Sequence, residues 1–283
     1  QCPILTAPLP EVIKLLPNWL AALPQAIRIY EVELVSADHS FAIAVEASRL
    51  PSDKELQSIL SGLEDMNFGA VQLWWKTGKQ TPFKRLDSGH DPLTFSINKD
   101  IQLAFEPGQF IQVNSEINRL MIAQMLELLP DQSITQAGTA IDLYCGTGNL
   151  SLPLAQRFNN VVGIEGLAEL VKGAKENARM NGINNVEFAV ADLNQSLSVA
   201  NVHKGKEPVD LVLLDPPRNG AAQIMPWIAK TKARQIIYIS CHPATMIRDA
   251  AVLTESGYKL VAAGVMDMFP HTSHIEAITL FEK

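Results

Sequence analysis

An α/β fold with a seven-stranded, mostly parallel sheet is predicted for residues 109–283, preceded by a smaller α+β domain over residues 1–108. Three observations predict it. Short apolar, β-branched runs alternate with helical stretches after Gln109, the pattern of βαβ units. A glycine-rich loop, Asp142-Leu143-Tyr144-Cys145-Gly146-Thr147-Gly148-Asn149, follows the first run. Reactive or acidic residues stand where each later run ends, the edge at which open parallel sheets bind ligands.

In the first domain, Leu9 to Leu23 is an apolar helical stretch with prolines near its ends and Pro17 inside it. Tyr30, Val32 and Leu34 alternate with Glu31 and Glu33, the period of a half-buried strand. Phe41–Val45 and Val71–Trp75 repeat that character, with a helical stretch Ser52–Met66 between them. Adjacent strand residues point to opposite faces, so at most one of Trp74 and Trp75 is available to stack on a base. Core packing is the expected role.

In the second domain the predicted strands are Ala140–Tyr144, Val161–Glu165, Val186–Val190, Leu211–Leu214 and Ile236–Ile239. Leu260–Val265 and Glu276–Phe281 close the chain as a terminal hairpin. No internal repeat and no low-complexity segment is visible.

The composition, 47% apolar and 19% charged, is that of a soluble globular protein. No apolar run approaches the roughly 20 residues of a membrane span, and no signal peptide is visible. Three cysteines, Cys2, Cys145 and Cys241, are too few and scattered for a disulfide framework, so a reducing cytoplasm is expected. The chain opens on Gln1, from which a natural N-terminus further upstream is expected. A net charge of −7 does not advertise a nucleic-acid binder, unless a basic segment stands outside the residues given.

The glycine loop departs from the dinucleotide pattern, with Ser151 at the third glycine position. An Asp beside such a loop suits a zwitterionic amino-acid tail better than a pyrophosphate, and S-adenosylmethionine has that tail. Glu165, ending the next strand, is placed to accept from ribose hydroxyls. Asp192, after the strand beyond it, is placed to read an adenine amino group. Asp215 continues the series, which reads as a binding edge more readily than as four separate helix caps.

Asp215-Pro216-Pro217-Arg218 and Ser240-Cys241-His242-Pro243 each end an apolar run. A cysteine in an apolar setting is usually a core residue. Here Ser240, His242 and Arg248 surround it at the ligand edge, and a helix start close by is expected to lower its pKa. Cys241 therefore reads as a nucleophile. In Asp267–Glu276, Glu276, His271 and His274 are candidates for a general base. The cysteines of a structural zinc site are absent there, so metal binding is the lesser reading.

These motifs, with Phe110-Ile111-Gln112-Val113-Asn114 and Arg248-Asp249, resemble the RNA (uracil-5-)-methyltransferase family over most of Gln109–Lys283. The resemblance implies a class I (Rossmann-like) S-adenosylmethionine-dependent methyltransferase domain. It implies Gln112, Tyr144, Asn149, Glu165, Asp192 and Asp215 around S-adenosylmethionine, Cys241 as nucleophile and Glu276 as base. Within the family the chain is most like the members that act on 23S ribosomal RNA and carry an iron–sulfur cluster, and less like those acting on tRNA. Cys2-Pro3-Ile4-Leu5 resembles the segment with the last cluster cysteine. The other three cysteines and an RNA-binding TRAM domain are expected upstream, so a cluster is expected only in the longer protein. His242 stands where the family usually has Asn, and Pro217 where relatives can carry Ala.

An RNA amino-group methyltransferase is the rival enzyme, though an aromatic residue usually follows its Pro-Pro turn where Arg218 stands. A non-catalytic module binding S-adenosylmethionine and RNA is the other alternative. Rapid alkylation of Cys241 relative to Cys2 and Cys145 separates these readings.

Overall fold

Helix α1 (Leu9–Ala22) turns Val12 and Trp19 inward despite Pro17 in its middle. Strands β1 (Ile29–Ser36) and β2 (Phe41–Ala47) pair antiparallel, and helix α2 (Asp53–Glu64) follows. Ser52 and Glu55 cap α2 reciprocally, the Ser52 backbone N–H donating to Glu55 Oε2 at 2.8 Å. Strand β3 (Val71–Lys76) returns parallel to β2, and the short β4 (Lys84–Arg85) completes a four-stranded sheet in the order β1-β2-β3-β4. Every residue of β2 is buried, as a central strand covered on both faces requires. β5 (Leu93–Ser96) and β6 (Gln102–Phe105) form a separate two-stranded sheet, with Phe95 edge-on to Phe105 at 5.6 Å.

The computed structural model describes residues 5, 7–66, 71–130, 138–203 and 208–283. It divides into two compact units, the first of Gln1–Phe95 and Ala104–Ile111, the second of Ser96–Leu103 and Gln112–Lys283. In the first unit Trp74 and Trp75 are 8% and 0% exposed. Trp75 Nε1 donates to the Arg49 carbonyl and Trp74 Nε1 to Gln72 Oε1, so both indoles belong to the core and neither is free to stack on a base.

The second unit begins with α3 (Ser115–Glu127), which buries Asn118, Met121, Ile122 and Met125 at helical spacing. Then follow β7 (Thr139–Leu143), α4 (Ser151–Ala155), β8 (Asn160–Glu165), α5 (Ala168–Met180) and β9 (Val186–Val190). α6 (Ser196–His203), β10 (Leu211–Leu214), α7 (Met225–Thr231), β11 (Gln235–Ser240) and α8 (Pro243–Glu255) continue the alternation. β12 (Lys259–Met266) and β13 (Glu276–Glu282) end it.

The seven strands lie in the order β12-β13-β11-β10-β7-β8-β9. β7 to β11 are mutually parallel, while β13 runs antiparallel to both β11 and β12. This is the class I methyltransferase sheet. Val212 and Leu214 of β10 pack in one cluster with Ile236 and Tyr238 of β11, and Leu211, Leu213, Ile237 and Ile239 are also fully buried. Both faces are therefore covered, which is why these strands read as unbroken apolar runs. No described helix is long and apolar enough to cross a membrane.

Candidate active site

The sheet order lines the candidate residues along one edge. Asp192 follows β9, Glu165 ends β8, Tyr144 follows β7, Asp215 follows β10, and Cys241 follows β11. Glu276 joins them because β13 is reversed and so opens where its neighbours end. The last pair of that ladder is Ser240 with Ala277, which leaves Cys241 and Glu276 one residue beyond it on adjacent strands. Neighbouring strands are about 4.8 Å apart, so two such side chains are within reach of one small ring.

The glycine loop is a tight turn. Tyr144, Gly146 and Gly148 have φ of 63°, 55° and 98°. The Tyr144 and Cys145 amides donate to the Ile164 carbonyl at 2.9 and 3.2 Å, and Asn177 Nδ2 donates to the Thr147 carbonyl at 3.0 Å. A Cβ placed on Gly146 would meet nothing within 4 Å, so open space lies against the loop there. Gly146 N donates to Glu165 Oε2 at 3.2 Å, while Glu165 Oε1 accepts from the Gly166 and Leu167 amides. Asn149 is held by a two-way amide pair with Asn118 of α3. Gln112 is half-buried two residues before Asn114, whose Oδ1 caps α3 by accepting from Ile117 N. Asp192 is exposed and accepts from Asn194 and Gln195 of its own loop.

Carboxylates crowd this edge. Asp142 is 1% exposed; its Oδ2 accepts from Ser151 Oγ, and its Oδ1 is buried with no partner among the described residues. Burial pushes its carboxyl up to about 8, the Ser151 hydroxyl opposing and the charges of Asp215 and Glu165 adding to the rise. Burial also raises Asp215 to about 6. Glu276, 3% exposed, is pushed up to about 8 by burial and then by the charge of Asp215.

Cys241 departs from expectation in one respect. Its thiol is pushed up rather than down, first by burial, then by the charges of Glu276 and Asp215. Arg218 and a backbone hydrogen bond oppose that rise and are outweighed. The α8 start is present, with His242 as N-cap, but burial and then the two carboxylates, one just after β10 and one in β13, outweigh it. His242 is half-buried, its amide donates to Ser240 Oγ at 3.0 Å, and its Nδ1 is buried without a partner among the described residues. His271 and His274 are exposed.

Two contacts carry no signal that sequence reading could assign. One is the Asn118–Asn149 pair. The other is the 1%-exposed carboxylate of Asp249 in α8, which accepts from Tyr238 Oη and Ala221 N, both at 2.7 Å, and from the Arg248 guanidinium.

The family profile described as tRNA (Uracil-5-)-methyltransferase matches residues 93–283. The chain belongs to that family. A 23S rRNA (uracil(1939)-C(5))-methyltransferase RlmD of Hahella chejuensis is 39% identical over 287 residues, covering 100% of this chain and 63% of the relative. Its counterpart in Shewanella amazonensis is 40% identical over 284 residues, covering 100% and 61%. The chain thus spans about six tenths of the length of these relatives. Among solved structures, the Pyrococcus abyssi tRNA (uracil-54, C5)-methyltransferase in complex with S-adenosyl-L-homocysteine superposes with a TM-score of 0.78. At 21% identity, over 99% of this chain and 68% of that one, this likeness shows the fold.

The stretch matched by the uracil-5-methyltransferase profile takes in the whole seven-stranded sheet and every candidate site residue except Cys2. Cys2 lies outside the described residues. Among the described residues no group of three or more His, Cys, Asp or Glu is arranged to hold a metal ion, so they supply no cluster site.

Proposed function

We propose that this chain is the catalytic portion of an S-adenosylmethionine-dependent enzyme that methylates carbon 5 of a uridine in 23S ribosomal RNA, in the cytoplasm. The observation that carries the reading is the placement of Cys241 and Glu276 at neighbouring strand ends, with Asp215 on the other side of Cys241. The printed names of the 39–40% identical relatives favour ribosomal over transfer RNA. An iron–sulfur cluster, with Cys2 among its ligands, belongs to the reading only for a longer protein.

S-adenosylmethionine supplies a sulfonium methyl group when bound. Its binding half is the side of the edge with Tyr144, Asn149, Glu165 and Asp192, completed by Gln112 and Asp215. The open space against Gly146 and the partnerless Oδ1 of Asp142 support that assignment. Glu165 offers acceptors to ribose hydroxyls, and Asp192 offers one to an adenine amino group.

Carbon 5 of uracil is a poor nucleophile. Once the Cys241 thiol has lost its proton, its sulfur adds to carbon 6, and the ring electrons move to make carbon 5 the enolate carbon. Carbon 5 takes the methyl group, Glu276 removes the carbon 5 proton, and the electron pair of that bond restores the double bond as Cys241 leaves. Burial that raises Glu276 also makes its carboxylate a stronger base, suited to this proton. A stacked base cannot reach this pocket, so the uridine is extruded from the RNA first.

The test is intact mass after mixing the chain with S-adenosylmethionine and a 23S fragment carrying 5-fluorouridine, with transfer RNA of the same substitution in parallel. The fluorine blocks proton removal and traps the adduct. An adduct on the ribosomal fragment, absent in Cys241→Ser, is expected. No adduct, either with this chain or with one extended upstream, overturns the reading; an adduct on transfer RNA alone reassigns the substrate.

A further inference from the structure

The sheet does not by itself set the distance between Asp215 and Cys241. The β10–β11 ladder ends at the pair Leu214 and Tyr238, one residue before Asp215 and three before Cys241. Beyond it the two strands no longer pair with each other, although β11 stays paired with β13 as far as Ser240. Something else must hold the Asp215–Ala221 segment against the segment that carries the thiol.

We infer that Asp249 is the positioning residue that holds the Asp215–Arg218 turn in register with Cys241, through hydrogen bonds to the backbone and side chains behind both. The inference rests on the uracil-methylation reading for what Cys241 does. Its geometry stands independently of that.

Asp249 lies in the second turn of α8, the helix that starts directly after the Cys241–His242 pair. Its Oδ2 accepts from Tyr238 Oη in β11 and from Ala221 N in the loop after β10, both at 2.7 Å. One carboxylate oxygen thus joins the two segments whose ladder has ended. Its Oδ1 accepts from two Arg248 nitrogens at 2.9 and 2.7 Å, and the same Arg248 reaches across to the Asn219 carbonyl at 2.9 Å. One turn earlier, Thr245 Oγ1 donates to the Arg218 carbonyl at 3.2 Å and to the His242 carbonyl at 2.9 Å. The first two turns of α8 therefore grip Arg218, Asn219 and Ala221.

Gly220 completes the fit. Its φ is +77°, and a Cβ there would stand 2.5 Å from Asp249 Oδ2 and 2.6 Å from Arg248. The loop backbone lies directly on the carboxylate, in a conformation open to glycine.

The arrangement is hard to explain as stabilisation alone. Burying a carboxylate is costly unless its lone pairs are used, and well-packed apolar groups often do as well or better. What a fully bonded buried carboxylate supplies is a unique arrangement of its partners. Burial, and next the bond to Asp249, push the Tyr238 phenol upward, as expected of a donor held on an anion. Asp249 does not lie on the ligand edge, so it acts through the residues it holds.

The test uses Asp249→Asn, Tyr238→Phe and Thr245→Val. Three quantities are read: the rate of covalent adduct formation with the 5-fluorouridine RNA, the dissociation constant for S-adenosylmethionine, and hydrogen exchange at the Ala221 amide. Asp249→Asn should slow adduct formation by about 30-fold or more and speed Ala221 exchange by at least 10-fold, with cofactor affinity kept within about threefold. Tyr238→Phe and Thr245→Val should each slow the adduct by about 3- to 10-fold. Wild-type adduct rates in Asp249→Asn, or a loss of cofactor affinity equal to the loss of rate, overturn the inference. Should Asp249→Asn not fold, unchanged rates in both milder variants overturn it. If the unaltered protein forms no adduct, the functional reading has failed instead. The clamp is then judged on Ala221 alone, where unchanged protection in Asp249→Asn, or in Tyr238→Phe, overturns it.

Discussion

The side-chain amides of Asn118 and Asn149 bond each other in both directions, each N–H donating to the other's carbonyl oxygen at 2.9 Å. Asn118 is 1% exposed in α3, and Asn149 belongs to the glycine loop. The pair ties the helix behind Gln112 to the turn that borders the open space at Gly146. Asn118→Ala leaves Asn149 free to rotate and a buried gap beneath it. A lost bond with an unsatisfied partner costs about 1–3 kcal/mol, so S-adenosylmethionine should bind about 5- to 150-fold more weakly by titration calorimetry. An unchanged dissociation constant would show that Asn149 needs no such support.

In the proposed mechanism Glu276 and Cys241 both act after losing a proton, and both are shifted upward, Glu276 to about 8. Turnover should therefore rise with pH, by about tenfold or more between pH 7 and pH 9. Single-turnover rates across that range check this. A profile flat above pH 7 would mean that neither group limits the reaction as free enzyme.

Glu276→Gln keeps the shape of the side chain and removes the proposed base. Methyl transfer to carbon 5 should still occur, after which methylated RNA stays attached to the protein through Cys241. The product should run as a stable RNA–protein species in a denaturing gel, at a release rate at least 100-fold below the unaltered protein. Free methylated RNA at the ordinary rate would place the base elsewhere.

Asp142 gives a stability prediction of definite sign. Burial raises it to about 8, so the folded protein holds its proton where the unfolded chain does not. Its contribution to stability is complete below the ordinary carboxylate range and is lost as pH rises through about 8, at about 1.4 kcal/mol per pH unit on the way. Denaturant unfolding at pH 6 and pH 8 should show this loss together with that of Glu276, raised by burial to about the same value, and Asp142→Asn should remove the Asp142 share of it. An equal slope in both proteins would mean that Asp142 is already ionised in the fold.

Gly163 of β8 has Phe188 and Cys145 packed against it. A Cβ there would stand 2.4 Å from the Phe188 ring and 3.1 Å from Cys145 Sγ. Gly163→Ala overpacks the sheet beneath the glycine loop and should cost about 1–3 kcal/mol. A fall in the thermal midpoint is the expected result; an unchanged midpoint would show that Phe188 can move aside.

Much of the second unit was legible in the sequence, because a strand buried on both faces has to be apolar throughout. Leu211–Leu214 was read at its observed bounds for that reason, and the edge strand Val186–Val190 from its β-branched ends instead; the acidic residues at the strand ends followed. Lys84–Arg85 was not legible, since two polar residues carry no period. The Leu93–Ser96 and Gln102–Phe105 pair was too short to stand out, although Leu93, Phe95, Leu103 and Phe105 alternate as they should. The direction of the Cys241 shift escaped because its causes, burial first and then the charges of Glu276 and Asp215, reach it through the fold and not through the chain. The Asn118–Asn149 pair and the Asp249–Ala221 bond escaped for the same reason: each joins residues about thirty positions apart whose types have many ordinary uses.

Because β13 lies between β11 and β12 in space yet follows both in the chain, the sheet cannot be finished in the order in which it is synthesised. While β12 leaves the ribosome it has no neighbour to pair with, and Cys241 stands without Glu276 beside it. On the proposed reading, a nascent chain can thus fold its cofactor half early, yet it holds no complete Cys241–Glu276 pair until residues 276–282 have been added. The proposed proton-abstracting group follows every other site residue, in the strand that also pairs with β12. The pair and the sheet are completed in the same event.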